Sequence, residues 1–156
     1  PVKEELDIIL NYPITVGGGK GGECEKGKKL LLTCLSMGNP HAVCFLDEPV
    51  ADFALFEVGP KVESHPIFPN RVNFEVANVL GRGKIVARVW ERGVGETLSC
   101  GTGACAVAVA ARLHGRVAGD VDVILPGGVL TVAWDGVGEV MLSGPAELVF
   151  QGEWAD

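Results

Sequence analysis

A chain of 156 residues, 47% hydrophobic and 21% charged, is long enough to bury one sizeable core and reads as a single folded domain. Its formal net charge of −7 argues against nucleic acid or an anionic membrane as the main partner, since both reward clustered Lys and Arg. No apolar run approaches the roughly 20 residues of a membrane-spanning helix and no signal peptide opens the chain, so a soluble cytoplasmic protein is expected.

Residue 1 is Pro and not Met, which fits a chain that was processed or is a piece of something longer. Residues 17–22 (GGGKGG) read as a flexible loop. KKLLLTCLS (28–36) and HAVCFL (41–46) read as strands joined by the tight MGNPH connection. Residues 52–63 suit a short helix with Phe53, Leu55 and Phe56 available for its buried side. HPIFP (65–69) is irregular, having two prolines in five residues. RVNFEVANVL (71–80) and GKIVARVWE (83–91) alternate as strands that turn around Gly81 to Gly83.

Residues 102–114 form the one strong helix candidate. Ala and Val crowd every face, so the helix should be buried all round, with His114 and Gly115 as its last turn and stop. The remainder reads as a meander of four strands: VDVILP (121–126), GVLTVAW (128–134), EVMLSG (139–144) and AELVFQG (146–152). Gly-containing turns fall at 127–128 and 136–138. Many strands and one dominant buried helix predict an α+β domain, a mixed or antiparallel sheet wrapped barrel-like around that helix.

Five cysteines, Cys24, Cys34, Cys44, Cys100 and Cys105, are an odd number with no metal-ligand spacing, which suits a reducing compartment and excludes a paired-Cys zinc site. Cys34 and Cys44 lie in apolar strands and read as inert. Cys24 sits in a Gly/Lys-rich loop and reads as exposed, and Cys105 as an inert helix-interior residue. Cys100 differs. At the mouth of the predicted helix it meets backbone N–H groups with no intrahelical acceptor, and these favour an anion and a lowered thiol pKa. Gly101 and Gly103 remove side chains, so a ligand carboxylate can approach the same amides. The alternative is a small residue in a tight strand-to-helix turn.

Glu91 and Arg92 end an apolar strand, where a site is commonly built; an exposed ion pair is the simpler reading. Asn39 and His41 begin a strand, and a lone His is more often a hydrogen-bonded structural residue than a catalyst. Asn73 interrupts a strand with an amide that must find partners if buried.

Four stretches, SMGNPHAV (36–43), HPIFPNRVNF (65–74), WERGVGETLSCGTGACA (90–106) and SGPAELVFQGE (143–153), closely resemble diaminopimelate epimerase, in order and over nearly the whole chain; the first 27 residues match no motif. The resemblance implies a cofactor-independent reaction in which one cysteine thiolate removes the α-proton and a second cysteine thiol returns a proton to the opposite face. This interconverts LL- and meso-diaminopimelate on the route to lysine and cell wall. It implies that Cys100 is one of the two acid/base cysteines and that Glu91 helps move its proton. Gly101 and Thr102 would anchor the reacting carboxylate. Asn39, Asn73 and Arg92 would contact the distal amino-acid head, with Glu91 also against the substrate, and His41 would partner the other cysteine. The family's other half carries its cysteine in a GNG-x-R-C type motif, which is absent here.

The expectation is therefore a C-terminal half over residues 1–156, inactive alone, whose partners are diaminopimelate and the N-terminal half. An apolar patch should stand where that half packs, and a homodimer follows if the patch is left uncovered. Two other readings compete: a related cofactor-independent isomerase of the proline racemase or phenazine-biosynthesis kind, and a non-catalytic domain that keeps the fold. A cysteine hydrolase is weaker, because it needs a His base and an oxyanion hole around the thiol.

Overall fold

The computed structural model describes residues 8–17 and 27–154; the expectations for Cys24 and for most of the 17–22 loop lie outside them. Among the described residues, nine strands and two α-helices make a mixed α+β fold with one large sheet. The strands are β1 (Ile8–Val16), β2 (Lys28–Ser36), β3 (Pro40–Phe45), β4 (Asn73–Gly81), β5 (Lys84–Glu91), β6 (Gly95–Thr97), β7 (Val121–Leu125), β8 (Gly128–Ala133) and β9 (Met141–Ser143). The helices are α1 (Leu55–Glu63) and α2 (Gly101–Leu113).

The sheet runs β1-β2-β3-β4-β5-β7-β8-β9. Most neighbours are antiparallel, but β3 pairs with β4 and β5 with β7 in parallel. Parallel pairs need crossover connections, and these carry the two helices: α1 lies between β3 and β4, α2 between β5 and β7. The first half of β5's second edge pairs with β7, while its last three residues pair with the short β6. The path of the sheet has two free ends among the described residues.

Alternation along the strands sends successive side chains to opposite faces. Val43, Ala77, Ala87, Val89, Val123 and Val132 face α2, and Ala42, Cys44, Phe74, Val76 and Trp90 face α1. The sheet thus lies between two apolar layers. Helix α2 packs on β2, β3, β4, β5, β7, β8 and β9. Its residues 103–111 are all buried, as its Ala/Val composition predicts. Each buried valine there contributes about 1.5–3 kcal/mol. The helix ends in a Schellman motif: Gly115 adopts φ 66°, Gly115 N–H donates to Arg112 O, and Arg116 N–H donates to Ala111 O.

Three expectations need correction. The helix predicted over 52–63 is a 3-10 turn at Val50–Asp52 followed by α1 from Leu55. Phe53 and Leu55 are buried, but Phe56 is 76% exposed, because the inward stripe of α1 is Leu55, Val58, Gly59 and Val62 and Phe56 stands about 100° away from its start. The fourth meander strand does not form: residues 146–152 pair with no described strand, and Leu148, Val149 and Phe150 are 79–87% exposed. Alternating apolar residues supply the capacity to pair, not a partner. No helix among the described residues is long and apolar enough to cross a membrane.

Candidate active site

The register of three strands builds one end of the sheet. His41 at the start of β3 pairs with Asn73 at the start of β4. Phe74 pairs with Trp90 on β5, so Asn73 stands level with Glu91. His41, Asn73 and Glu91 therefore form a row across β3, β4 and β5, on the face that carries Val43, Ala77 and Val89 toward α2. The N-terminus of α2, with Cys100 as its N-cap, comes down on this face.

Cys100 Sγ accepts a hydrogen bond from Gly103 N–H at 3.4 Å and lies 3.6 Å from Thr102 Oγ1. The first turn of α2 holds no acidic residue, and helix geometry leaves the Gly101 and Thr102 amides without intrahelical acceptors. A ligand carboxylate fits such an end. The expected lowering of the thiol pKa is not met. Burial pushes the Cys100 thiol up, and Glu91 and Glu75 add to that; the hydrogen bonds from Thr102 and Gly103 offset only part. Cys34 and Cys44, as expected, are buried and pushed up to about 11, chiefly by desolvation. Cys105 is buried inside α2, and burial raises its thiol too.

The polar residues singled out in the sequence are brought together, though not all of them face outward. Asn39 donates from Nδ2 to Thr102 Oγ1 at 3.3 Å and takes His41 Nε2 on its Oδ1 at 3.0 Å. The His41 side chain is wholly enclosed, so it reaches the opening only past Asn39. Asn73 is buried and partnered at both ends: Nδ2 donates to Pro40 O at 3.0 Å and Oδ1 accepts from Arg92 N–H at 2.9 Å. It clamps the start of β3 to the end of β5. Glu91 and Arg92 are not an ion pair with each other. Glu91 accepts from Thr97 on β6, and the exposed Arg92 donates to Asn70 O at 3.1 Å. Asn39, Thr102, Glu91 and Arg92 remain partly or fully exposed.

Two carboxylates were missed. Glu75 is completely buried, with Oε1 2.6 Å from His41 Nδ1. It lies two residues after Asn73 and so shares its face, but in the alternation of this strand that face reads as the polar, outward one. Glu63, at the end of α1, accepts from Trp90 Nε1 at 2.8 Å, Gly93 N–H at 2.9 Å and Arg71 at 3.2 Å. It fixes the turn that carries Arg92. Among the described residues no group of three His, Cys, Asp or Glu could hold a metal ion.

A family model described as diaminopimelate epimerase matches residues 33–149. The chain belongs to the diaminopimelate epimerase family. It is 53% identical to the diaminopimelate epimerase of Desulforudis audaxviator over 156 residues, 99% of this chain and 55% of that protein. It is 48% identical to that of Magnetococcus marinus over 153 residues, covering 98% of this chain and 51% of that one. With the Leptospira biflexa protein it shares 48% over 128 residues, 82% and 45% of the two chains. The chain thus spans about half the length of the curated relatives it matches. A solved phenazine-biosynthesis protein from Clostridium difficile shows TM-score 0.47 and 22% identity over 63% of this chain and 35% of that one, too slight a likeness to bear on fold or chemistry.

Proposed function

We propose that this chain is the C-terminal half of a diaminopimelate epimerase and supplies one of two cysteines that exchange the α-proton without a cofactor. The observation that carries the reading is Cys100 at the N-cap of a buried helix, opposite a row of polar side chains from three strands. Family membership supports the reaction, and the share of each relative's length supports a second half.

In this reading the substrate carboxylate sits on the amides of Gly101 and Thr102, stabilised by the positive end of α2. The α-carbon then lies beside Sγ. Because burial favours the protonated form of Cys100, this residue begins as the acid. The opposing half's thiolate takes the Cα proton, and the electron pair is held toward the bound carboxylate. Cys100 then delivers its proton to the other face of the carbon, and Glu91 helps restore that proton. In the reverse direction the two thiols exchange roles. Asn39, Asn73 and Arg92 contact the distal amino and carboxylate groups, where a guanidinium suits a second carboxylate. His41 serves the opposing cysteine. The sheet around α2 is then one barrel-like half, and the exposed 146–152 segment is part of the surface left by the absent half.

The test mixes this chain with a separately made N-terminal half and follows conversion of LL- to meso-diaminopimelate on a chiral column. Conversion by the mixture and by neither half alone is expected. Conversion by this chain alone at the rate of the mixture refutes the two-half reading, and turnover of another amino acid in place of diaminopimelate refutes the substrate.

A further inference from the structure

Glu75 is a wholly buried carboxyl with Oε1 on His41 Nδ1 at 2.6 Å and, among the described residues, no hydrogen-bond partner for Oε2. Such a group is expensive unless it is tightly bonded. His41 passes on to Asn39 at 3.0 Å, Asn39 to Thr102 at 3.3 Å, and Thr102 Oγ1 lies 3.6 Å from Cys100 Sγ. Five side chains from β3, β4, the loop before β3 and the start of α2 thus form one continuous run that ends on the sulfur.

Hydrogen-bond chemistry gives this run a direction. Thr102 Oγ1 already accepts from Asn39 Nδ2, so its single proton is free to point at Sγ. That orientation of Asn39 leaves Oδ1 toward His41 and requires a proton on Nε2. A Glu75 carboxyl that holds the shared proton, the form its burial favours, donates it to Nδ1 and leaves the imidazole's own proton on Nε2. We infer that Glu75 is a positioning residue: through His41, Asn39 and Thr102 it sets the polarity of the hydrogen bond made to Cys100 Sγ and so aids formation of the thiolate. Its place in catalysis rests on the proposed role of Cys100; its effect on the thiol does not.

The charges facing Cys100 pull the other way. Glu91 from β5 and Glu75 from β4 both raise the thiol, and Cys105 is the further ionisable neighbour on α2. Glu75 therefore opposes the thiolate through space and supports it through the run, and substitution separates the two. Glu75→Gln removes the charge, but its amide still donates to Nδ1 and keeps Nε2–H. Glu75→Leu removes both. A variant acting through charge alone speeds Cys100 equally in the two cases.

The experiment is peptide-resolved iodoacetamide alkylation of Cys100 against pH in this chain, with His41 tautomers read from ¹⁵N ring shifts. Expected is alkylation in Glu75→Gln at least as fast as in the parent, and in Glu75→Leu slower than in Glu75→Gln by about tenfold at neutral pH, one pKa unit. The Leu variant should also show mixed His41 tautomers. In a Thr102→Val background the Gln–Leu difference should vanish. Should Glu75→Leu not fold, Asn39→Ala cuts the same run at a half-buried link and should slow Cys100 several-fold. Equal rates for Gln and Leu, a difference that survives Thr102→Val, or no slowing in Asn39→Ala each overturns the inference. Alkylation needs neither substrate nor the opposing half, so such a result leaves the epimerase reading untouched.

Discussion

Gly59→Ala sets helix propensity against packing, and the structure decides the sign. Alanine in a helix is favoured over glycine by about 0.5–1 kcal/mol, so sequence reasoning alone predicts stabilisation. A Cβ at Gly59, however, would stand 2.5 Å from Trp90 Cδ2, 2.7 Å from Cγ and 2.8 Å from Cε3. Carbon pairs settle at about 3.5–4.0 Å, so helix and ring must part by about 1 Å. They cannot do so freely. Trp90 Nε1 donates to Glu63 on the same helix at 2.8 Å, and Phe56, also on α1, meets the indole edge-on at 5.9 Å. Overpacking of this kind costs about 1–3 kcal/mol, and the strained bond to a carboxylate adds about 1 kcal/mol. After subtracting the propensity gain, the net destabilisation is about 1–3 kcal/mol. With a urea m-value of about 1–3 kcal/mol per molar, the midpoint falls by about 1 M. In a Trp90→Val background the clash is relieved and alanine becomes neutral or stabilising. A higher midpoint in the parent background, or the same loss in both, would refute the packing account.

Further outcomes follow from the same geometry. Burial alone would raise the Glu63 carboxyl, but hydrogen bonds from Trp90, Gly93 and Arg71 outweigh it and hold the pKa below the usual carboxylate range. A depressed folded pKa contributes stability above the unfolded value of about 4.3 that is lost as pH falls through the folded one; urea midpoints of the parent should therefore drop more steeply below about pH 4 than those of Glu63→Gln. Cys34 and Cys44, pushed up to about 11 by burial, should resist iodoacetamide at pH 8 until urea unfolds the chain, and labelling of either under native conditions would contradict their burial. Removing residues 145–156 should leave the thermal midpoint nearly unchanged, since Leu148, Val149, Phe150 and Trp154 are 79–94% exposed and surface changes stay within about 0.5 kcal/mol; a marked fall would mean that this tail is part of the core.

The features legible in the sequence are those in which one local pattern decides. The all-round Ala/Val run of α2, the apolar runs of β2 and β3 and the alternating runs of β4 and β5 each announce their element, and the strand ends fall where Asn, Gly and Pro interrupt them. Asn73 was correctly expected to need partners. What was not legible depends on partners distant in the chain. β1 was missed because a bulge between Ile9 and Tyr12 breaks its alternation and Pro13 lies within it, tolerable only on an edge strand. β6 is three residues held by the end of β5 and has no pattern of its own. The pKa of Cys100 was misjudged because the helix end was visible and the burial and the Glu75 carboxyl were not. Glu75 reads locally as the solvent side of a strand; only the packing of α2 over β4 turns it into a buried group.

The central claim, that Cys100 is one of two acid/base groups, is tested most directly by α-deuterium exchange. LL-diaminopimelate in D₂O is incubated with this chain plus a separately made N-terminal half, and deuterium at the α-carbon is read by proton NMR beside the same mixture carrying Cys100→Ala. Inversion with deuterium at the inverted carbon in the first mixture, and no inversion in the second, is the predicted result. Inversion that persists without the Cys100 sulfur would contradict the account.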